Sequence, residues 1–303
     1  MTAERHTEVV AGGADLMLHE WGPEGGRPIL HWPGLGMYTG EYLFELGPLI
    51  AAAGARVVAI DPPGLGGSLP LPAEGYAVER LAALLPEVLD EIGAGTGVFM
   101  GHSWGATVAG EAACLAPERC AGVVLLDGGH VDMSGTLPQG RTLDEHVELA
   151  RRQVEEFRFP SREAFAEGLR SYFPRLTPGL EAYWQATMVE QDGELVDSAP
   201  PEVLGAASYG LWRARPPLAP RLDAARVPVL LLVGGRSPSA VDLETSLGIS
   251  LDEFRRRMSV GLEAMRATRR ATVEVVPAAG HDLIADAGPE VAAAVRRWLT
   301  TLP

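Results

Sequence analysis

The amino-acid sequence predicts an α/β fold: a mostly parallel sheet with helices on both faces and an inserted helical cap. Two observations carry that expectation. Short apolar, β-branched runs alternate with longer stretches of helical periodicity, the pattern of strands buried on both faces. The alternation then stops from Gly128 to Ala225, where helical pattern is interrupted by Pro160, Pro174, Pro178 and the pairs Pro200–Pro201 and Pro216–Pro217.

Taken in order, Glu8–Val10 and Leu16–His19 flank Gly12–Gly13 and are expected to pair as a hairpin. The expected core strands are Ile29–His31, Arg56–Ile60, Val98–Met100, Val123–Leu126, Val229–Val233 and Thr272–Val276. Helical periodicity marks Glu41–Ala53, Val78–Ile92 and Trp104–Ala116, the last stopped by Pro117; Glu290–Leu299 closes the chain. A second helical insert is expected over Leu251–Arg270. The expected division is core over 1–127, cap over 128–225 and core again over 226–303. The cap is rich in aromatic residues, among them Phe165, Tyr183, Trp184 and Trp212. These either fill a small core of its own or line an apolar pocket beneath it.

Composition excludes several classes of function. The 303 residues carry 25 Lys+Arg against 40 Asp+Glu, a net charge of −15, so no cationic face for nucleic acid or an anionic membrane is expected. Apolar residues make up 47% and charged residues 21%, which is ordinary for a globular chain and argues against disorder. No stretch reaches the roughly 18 apolar residues of a membrane span, and Met1–Val10 carries Glu4, Arg5, His6 and Glu8 where a signal peptide would be apolar. A cytoplasmic location is expected. Two cysteines, Cys114 and Cys120, cannot build a disulfide framework or a four-thiolate metal site, and are expected to pack as small apolar side chains.

The chemistry concentrates in Val98–Ala106. A buried strand runs into Gly101-His102-Ser103-Trp104-Gly105 and then a helix, the context a nucleophile elbow requires. Glycines on both sides of Ser103 permit a sharp turn that lifts the hydroxyl to a helix N-terminus, where N–H groups face developing negative charge.

With this segment the chain resembles the α/β-hydrolase superfamily, in its serine-nucleophile branch with a helical lid. Three further segments agree in order and spacing. Asp61–Ser68 is similar to the family's D-x-x-G-x-G-x-S loop, Pro33–Gly36 to its oxyanion loop, and Pro277–Asp282 to its G-H histidine loop. The resemblance implies the fold, a Ser-Asp-His triad and a small-molecule substrate. It covers the core but not the cap.

The sequence departs from that pattern twice. The oxyanion loop usually reads H-G, whereas here Pro33 precedes Gly34 and His31 lies two residues earlier. Aligning His31-Trp32 with H-G would put Pro33, which has no N–H, at the donor position. The other register makes Leu35 N–H one donor and Trp104 N–H the second, each contributing on the order of 3 kcal/mol. His31 is then expected to be structural or to line the pocket. The second departure is the acid, for the loop that usually carries it reads Gly234-Gly-Arg-Ser237. A carboxylate stands instead at the end of the preceding strand, Asp127, on the edge where catalytic groups gather; in some family members the acid sits there. Asp127 is the expected acid, with Asp242, Glu244 or a dyad without an acid as alternatives.

His281 is the expected base, arriving over Ser103 on the loop after the last strand in the chain order Ser, Asp, His. The other histidines take lesser roles. His6, His19 and His146 are expected in solvated positions, His102 in packing, and His130 either as a plain loop histidine or in the substrate pocket. Asp61 and Ser68 are expected to be structural, and Asp282 to be a surface or supporting carboxylate. The linear spacings of the usual nucleotide and metal motifs are missing, so no cofactor and no metal is implied. The expected activity is hydrolysis of an ester, lactone or thioester through an acyl-enzyme. Serine at the elbow argues against epoxide or haloalkane chemistry, for which the resemblance implies an aspartate there. Acyl transfer or cyclisation, and a ligand-binding protein with weak turnover, stand as alternatives. The oligomeric state is left open.

Overall fold

The computed structural model describes residues 4–38, 43, 45–173, 175–236, 238 and 240–303, with the side chains of 240–242 left aside. Met1, Glu41, Pro174, Ser237 and the side chain of Asp242 therefore lie outside the described residues. The strands, in chain order, are β1 (Arg5–Ala11), β2 (Ala14–Trp21), β3 (Pro28–Trp32), β4 (Arg56–Ile60), β5 (Gly97–His102), β6 (Cys120–Leu126), β7 (Arg158–Phe159), β8 (Met188–Gln191), β9 (Glu194–Asp197), β10 (Val229–Gly234) and β11 (Ala271–Val276). The described helices are α1 (Leu46–Ala51), α2 (Val78–Glu91), α3 (Trp104–Leu115), α4 (Leu143–Glu156), α5 (Arg162–Tyr172), α6 (Pro178–Ala186), α7 (Pro201–Trp212), α8 (Leu218–Ala225), α9 (Ala240–Leu247), α10 (Leu251–Ala267) and α11 (Leu283–Leu299).

Eight strands form one sheet in the order β1-β2-β4-β3-β5-β6-β10-β11. Only β1 and β2 run antiparallel to their neighbours; every pairing from β4 onward is parallel. All six residues of β5 are buried, as a strand covered on both faces demands. One face packs against α2, α3 and α8 with Met265 of α10. The other packs against α1 and α11, through Leu46, Ile50, Leu283, Val291 and Trp298 among others. Among the described residues no helix is long and apolar enough to cross a membrane.

Glycine sets how closely α3 approaches the sheet. A Cβ on Gly105 would stand 2.1 Å from the Trp32 carbonyl oxygen and 2.4 Å from that of Pro33, far inside contact distance. Only a bare Cα lets this helix start directly over the end of β3.

The stretch between β6 and β10 corrects the expectation of helices alone. It holds α4 to α8 and also a three-stranded antiparallel sheet, β7-β9-β8. Its strands are short and largely solvent-facing, so they lack an apolar run, but Asp192-Gly193 with φ of 55° and 81° is a hairpin turn written in the sequence. Thr142 and Glu145 open α4 as a reciprocal capping box. α7 reaches the core: Val203 and Leu204 face Gly64 and Gly36, and Gly210 abuts the Tyr76 carbonyl. The expected cap boundary at 225 falls after α8, whose Leu218, Ala219 and Leu222 belong to the core cluster. At the C-terminus the helix begins at Leu283 rather than Glu290. It breaks at Ala287 (φ −148°, ψ 40°), two residues before Pro289, which removes an N–H from the ladder.

Gly105→Ala is expected to destabilise the protein by about 3 kcal/mol or more, because backbone on both sides must move. Gly95→Ala, with nothing near the added methyl, is expected to stay within about 0.5 kcal/mol. Guanidinium unfolding midpoints of the two variants compare them directly.

Candidate active site

Ser103 sits between β5 and α3 with φ 53° and ψ −113°, a strained conformation for a residue with a side chain. The turn is held from both sides. Ser103 N–H donates to the Leu126 carbonyl at 2.9 Å, and Ala106 N–H donates to the Ser103 carbonyl at 3.1 Å. Gly101 and Gly128 are obligatory here: their Cβ atoms would lie 2.0 Å from the Gly105 oxygen and 2.2 Å from the Ser103 oxygen.

Asp127 leaves the end of β6 with φ 44°, its N–H donating to the Leu232 carbonyl at 2.8 Å. Its carboxylate has two partners. Oδ1 accepts the Gly234 N–H at 2.9 Å and Oδ2 lies 2.7 Å from His281 Nδ1. On the far side of the ring, His281 Nε2 is 2.8 Å from Ser103 Oγ. A carboxylate can only accept, so Nδ1 carries the proton and Nε2 presents its lone pair to the serine hydroxyl. The Asp127 carboxylate is largely covered and the His281 ring is open, with side-chain exposures of 13% and 62%. Burial pushes the Asp127 pKa up, but the hydrogen bond and charge of His281 and the Gly234 N–H outweigh it and hold the carboxyl below its ordinary range.

The loop carrying His281 is pinned by groups that linear reading does not reveal. Gly280 N–H donates to Asp286 Oδ2 at 2.7 Å, and Arg236 forms an ion pair with the same carboxylate. Arg236 N–H reaches the Ala279 carbonyl and Gly235 N–H that of Val276, both at 3.0 Å. The loop that lacks the usual acid is thus stitched to the histidine loop and also donates to Asp127. Asp282 caps α11 through the Ala285 N–H; burial, with the charge of Asp286 adding, pushes its carboxyl up to about 7.

Two of the remaining histidines, His19 and His146, depart from expectation. His102 packs against His281, ring centroids 5.2 Å apart, and also donates from Nε2 to the His281 carbonyl at 2.8 Å. His19 and His146, expected in solvent, are buried. His19 Nε2 meets Asp61 Oδ2 at 3.1 Å, and His146 bridges Ser208 Oγ and the Pro138 carbonyl. His31 is fully buried with no hydrogen-bond partner on either nitrogen among the described residues, and burial, with the charge of His102 adding, lowers its pKa to about 3. His102 is lowered by burial to about 4. His130 is also buried, its Nδ1 3.3 Å from the Gly128 carbonyl, and burial keeps its pKa below the ordinary value.

The loop Pro33–Gly36 lies against the turn at Ser103. A Cβ on Gly34 would be 3.1 Å from His102 Nδ1, and Met37 N–H closes a turn onto the Gly34 carbonyl around Leu35. Trp104 opens α3, so its N–H is among those a helix leaves without an internal partner. Its ring meets Trp32 edge-on at 5.9 Å. Trp184 packs against Phe173 at a tilt and against Tyr183 edge-on, and Tyr183 reaches Tyr38, two residues past Gly36, at 5.8 Å. Trp212 lines a cleft of about 350 Å³ with Arg141, His146, Tyr209 and Arg213, whose walls include none of Ser103, Asp127 and His281. Glu244 is exposed on α9. Ser68 Oγ donates to the Asp61 carbonyl and accepts the Met17 N–H, tying that loop to β2.

With this geometry described, the chain can be set beside known proteins. A family model for the alpha/beta hydrolase fold matches residues 27–287. Epoxide hydrolase B of Mycobacterium tuberculosis is 40% identical over 110 residues, 34% of this chain and 31% of that protein. The dihydrolipoyllysine-residue acetyltransferase component of the acetoin cleaving system of Pseudomonas putida is 31% identical over 192 residues, 60% of this chain and 50% of that protein. The matches thus span 31% and 50% of these relatives' lengths. Among solved structures, E-2-(acetamidomethylene)succinate hydrolase superposes with a TM-score of 0.73 at 20% identity, covering 99% of this chain and all of that one.

His31 and His102 both bind protons more weakly folded than unfolded, so their contribution to stability is complete above their ordinary pKa of 6.5 and is lost as pH falls toward about 4 and then 3. His31→Leu removes one such group and leaves no partner unsatisfied. It is expected to match or exceed the parent in stability at pH 7 and to lose less between pH 6 and 4. Thermal unfolding across that range measures the difference; an unchanged acid slope would contradict the assignment.

Proposed function

Because this chain belongs to the alpha/beta hydrolase fold family, we propose that it is a serine hydrolase cleaving an ester, lactone or thioester of a small, largely apolar molecule. The observation that carries the reading is the unbroken chain from Ser103 Oγ through His281 to Asp127, at 2.8 and 2.7 Å. In this reading His281 Nε2 takes the Ser103 proton as Oγ attacks the carbonyl carbon, and Asp127 stabilises the imidazolium. Leu35 and Trp104 N–H groups receive the oxyanion. The imidazolium returns its proton to the departing alcohol or thiol, leaving an acyl-serine. Water, deprotonated by the same nitrogen, then attacks the acyl carbon and releases the acid.

The likeness to epoxide hydrolases does not carry epoxide opening onto this chain. Serine attack on an epoxide carbon would give an ether, which has no carbonyl for water to attack, whereas a carboxylate nucleophile gives a hydrolysable ester. The exposure of His281 favours water over another acceptor, since transfer and cyclisation rely on excluding it. The stretch between β6 and β10 acts as the cap in this proposal. Met37, Tyr38, Tyr183 and Trp184 supply the apolar surface beside the oxyanion loop.

Ser103 is expected to react covalently with a fluorophosphonate probe, and Ser103→Ala to abolish both labelling and p-nitrophenyl acetate hydrolysis. A folded parent protein that neither labels nor hydrolyses would favour a ligand-binding role instead.

For the acid, Asp127→Asn is expected to lower kcat by about 10⁴-fold, while Asp242→Asn stays within about twofold of the parent. The reverse ranking in steady-state kinetics would move the acid to α9.

A further inference from the structure

We propose that Glu4, His6 and His19 form a binding site for one divalent transition-metal cation of the zinc type at the antiparallel edge of the sheet. His6 and His19 stand directly opposite each other on β1 and β2, their rings edge-on with centroids 4.6 Å apart. Glu4 Oε1 lies 3.2 Å from His19 Nδ1 and 3.7 Å from His6 Nε2. One ligand atom from each of the three residues falls within 4.8 Å of the others. Nitrogen and oxygen donors at about 2.0–2.1 Å around a tetrahedral ion are separated by about 3.3 Å, so small side-chain rotations complete the set. Two imidazoles and one carboxylate suit zinc, cobalt or nickel better than magnesium or calcium, which prefer oxygen alone. The fourth position is left to water.

The surroundings supply an independent reason. The far nitrogen of His19 meets the Asp61 carboxylate at 3.1 Å, and the same oxygen accepts the Gly67 N–H at 2.9 Å. A metal-binding imidazole characteristically donates its other N–H to a carboxylate, which fixes the tautomer and turns the free lone pair toward the ion. Here that arrangement presents Nδ1 to Glu4 and His6. Exposure is graded: Asp61 and His19 side chains are 2% and 10% exposed, Glu4 32% and His6 55%. The anchored half is built into the protein and the outer half faces solvent, giving the ion a way in. β2 and β1 stand three and four strand positions from β5, roughly 14–19 Å, so the ion takes no part in acyl transfer. It would cross-link the N-terminal hairpin and, through His19 and Asp61, the loop after β4. No linear spacing marks such a site, because strand pairing brings the two histidines together.

The test uses the full chain without an affinity tag, stripped by a chelator and titrated with zinc chloride by calorimetry. One equivalent is expected to bind with a dissociation constant in the micromolar range or tighter, and excess zinc to raise the unfolding midpoint by several degrees. Cobalt in place of zinc should show the visible absorption of a tetrahedral nitrogen–oxygen site. His6→Gln, at an exposed position, is expected to leave the metal-free midpoint unchanged, weaken zinc binding at least tenfold and remove the midpoint shift. Asp61→Asn is expected to weaken binding about 10–100-fold; should it fail to fold, Glu4→Gln and His6→Gln still decide. Absence of saturable binding, or equal binding by the parent and His6→Gln, would overturn the proposal.

Discussion

A single, largely covered carboxylate organises the candidate site. Asp127 can remain charged inside the protein only because one oxygen takes the Gly234 N–H and the other the His281 Nδ1–H. The first of these bonds exists because β6 and β10 are parallel neighbours in register, Leu126 opposite Leu232. The second exists because β11 follows β10 at the sheet edge and delivers the histidine loop beside it. Both Ser103 and Asp127 have positive φ, and each is held by an N–H bonded to the next strand, to Leu126 and Leu232. The strain is thus carried by the same parallel pairings that bring the two side chains together.

What was legible from sequence follows from where the physics is local. Strands buried on both faces must be continuous apolar runs, so the core strands could be read to within a few residues. The elbow could be read because a turn that sharp needs glycines at fixed offsets. The small sheet of β7, β8 and β9 was hidden because solvent-facing strands carry no apolar run, although Asp192-Gly193 marked its turn. The burial of His19 and His146 was hidden for another reason: their partners, Asp61 and Ser208, lie 42 and 62 residues away. Asp286 and Arg236, 50 residues apart, escape linear reading in the same way.

Around the open imidazole of His281 stand three buried ones, His31, His102 and His130, all with pKa lowered by burial. Kept neutral, they add bulk and polarisability without competing for the negative charge of Asp127. His102 also acts on the base directly, through its hydrogen bond to the His281 carbonyl. The residue just before Ser103 in sequence therefore steadies the backbone of His281.

The stitching between the loops after β10 and β11 has a mechanical consequence. Arg236 and Gly235 bind the histidine loop, while Gly234 binds Asp127, so Asp127 and His281 ride on one connected piece of the sheet. Ser103, on the seam of β5 and α3, is tied to the same piece by its own N–H bond to Leu126 and by the His102 bond to the His281 carbonyl. All three side chains therefore hang from one hydrogen-bonded body, and displacing any one of these strands would alter both short distances at once.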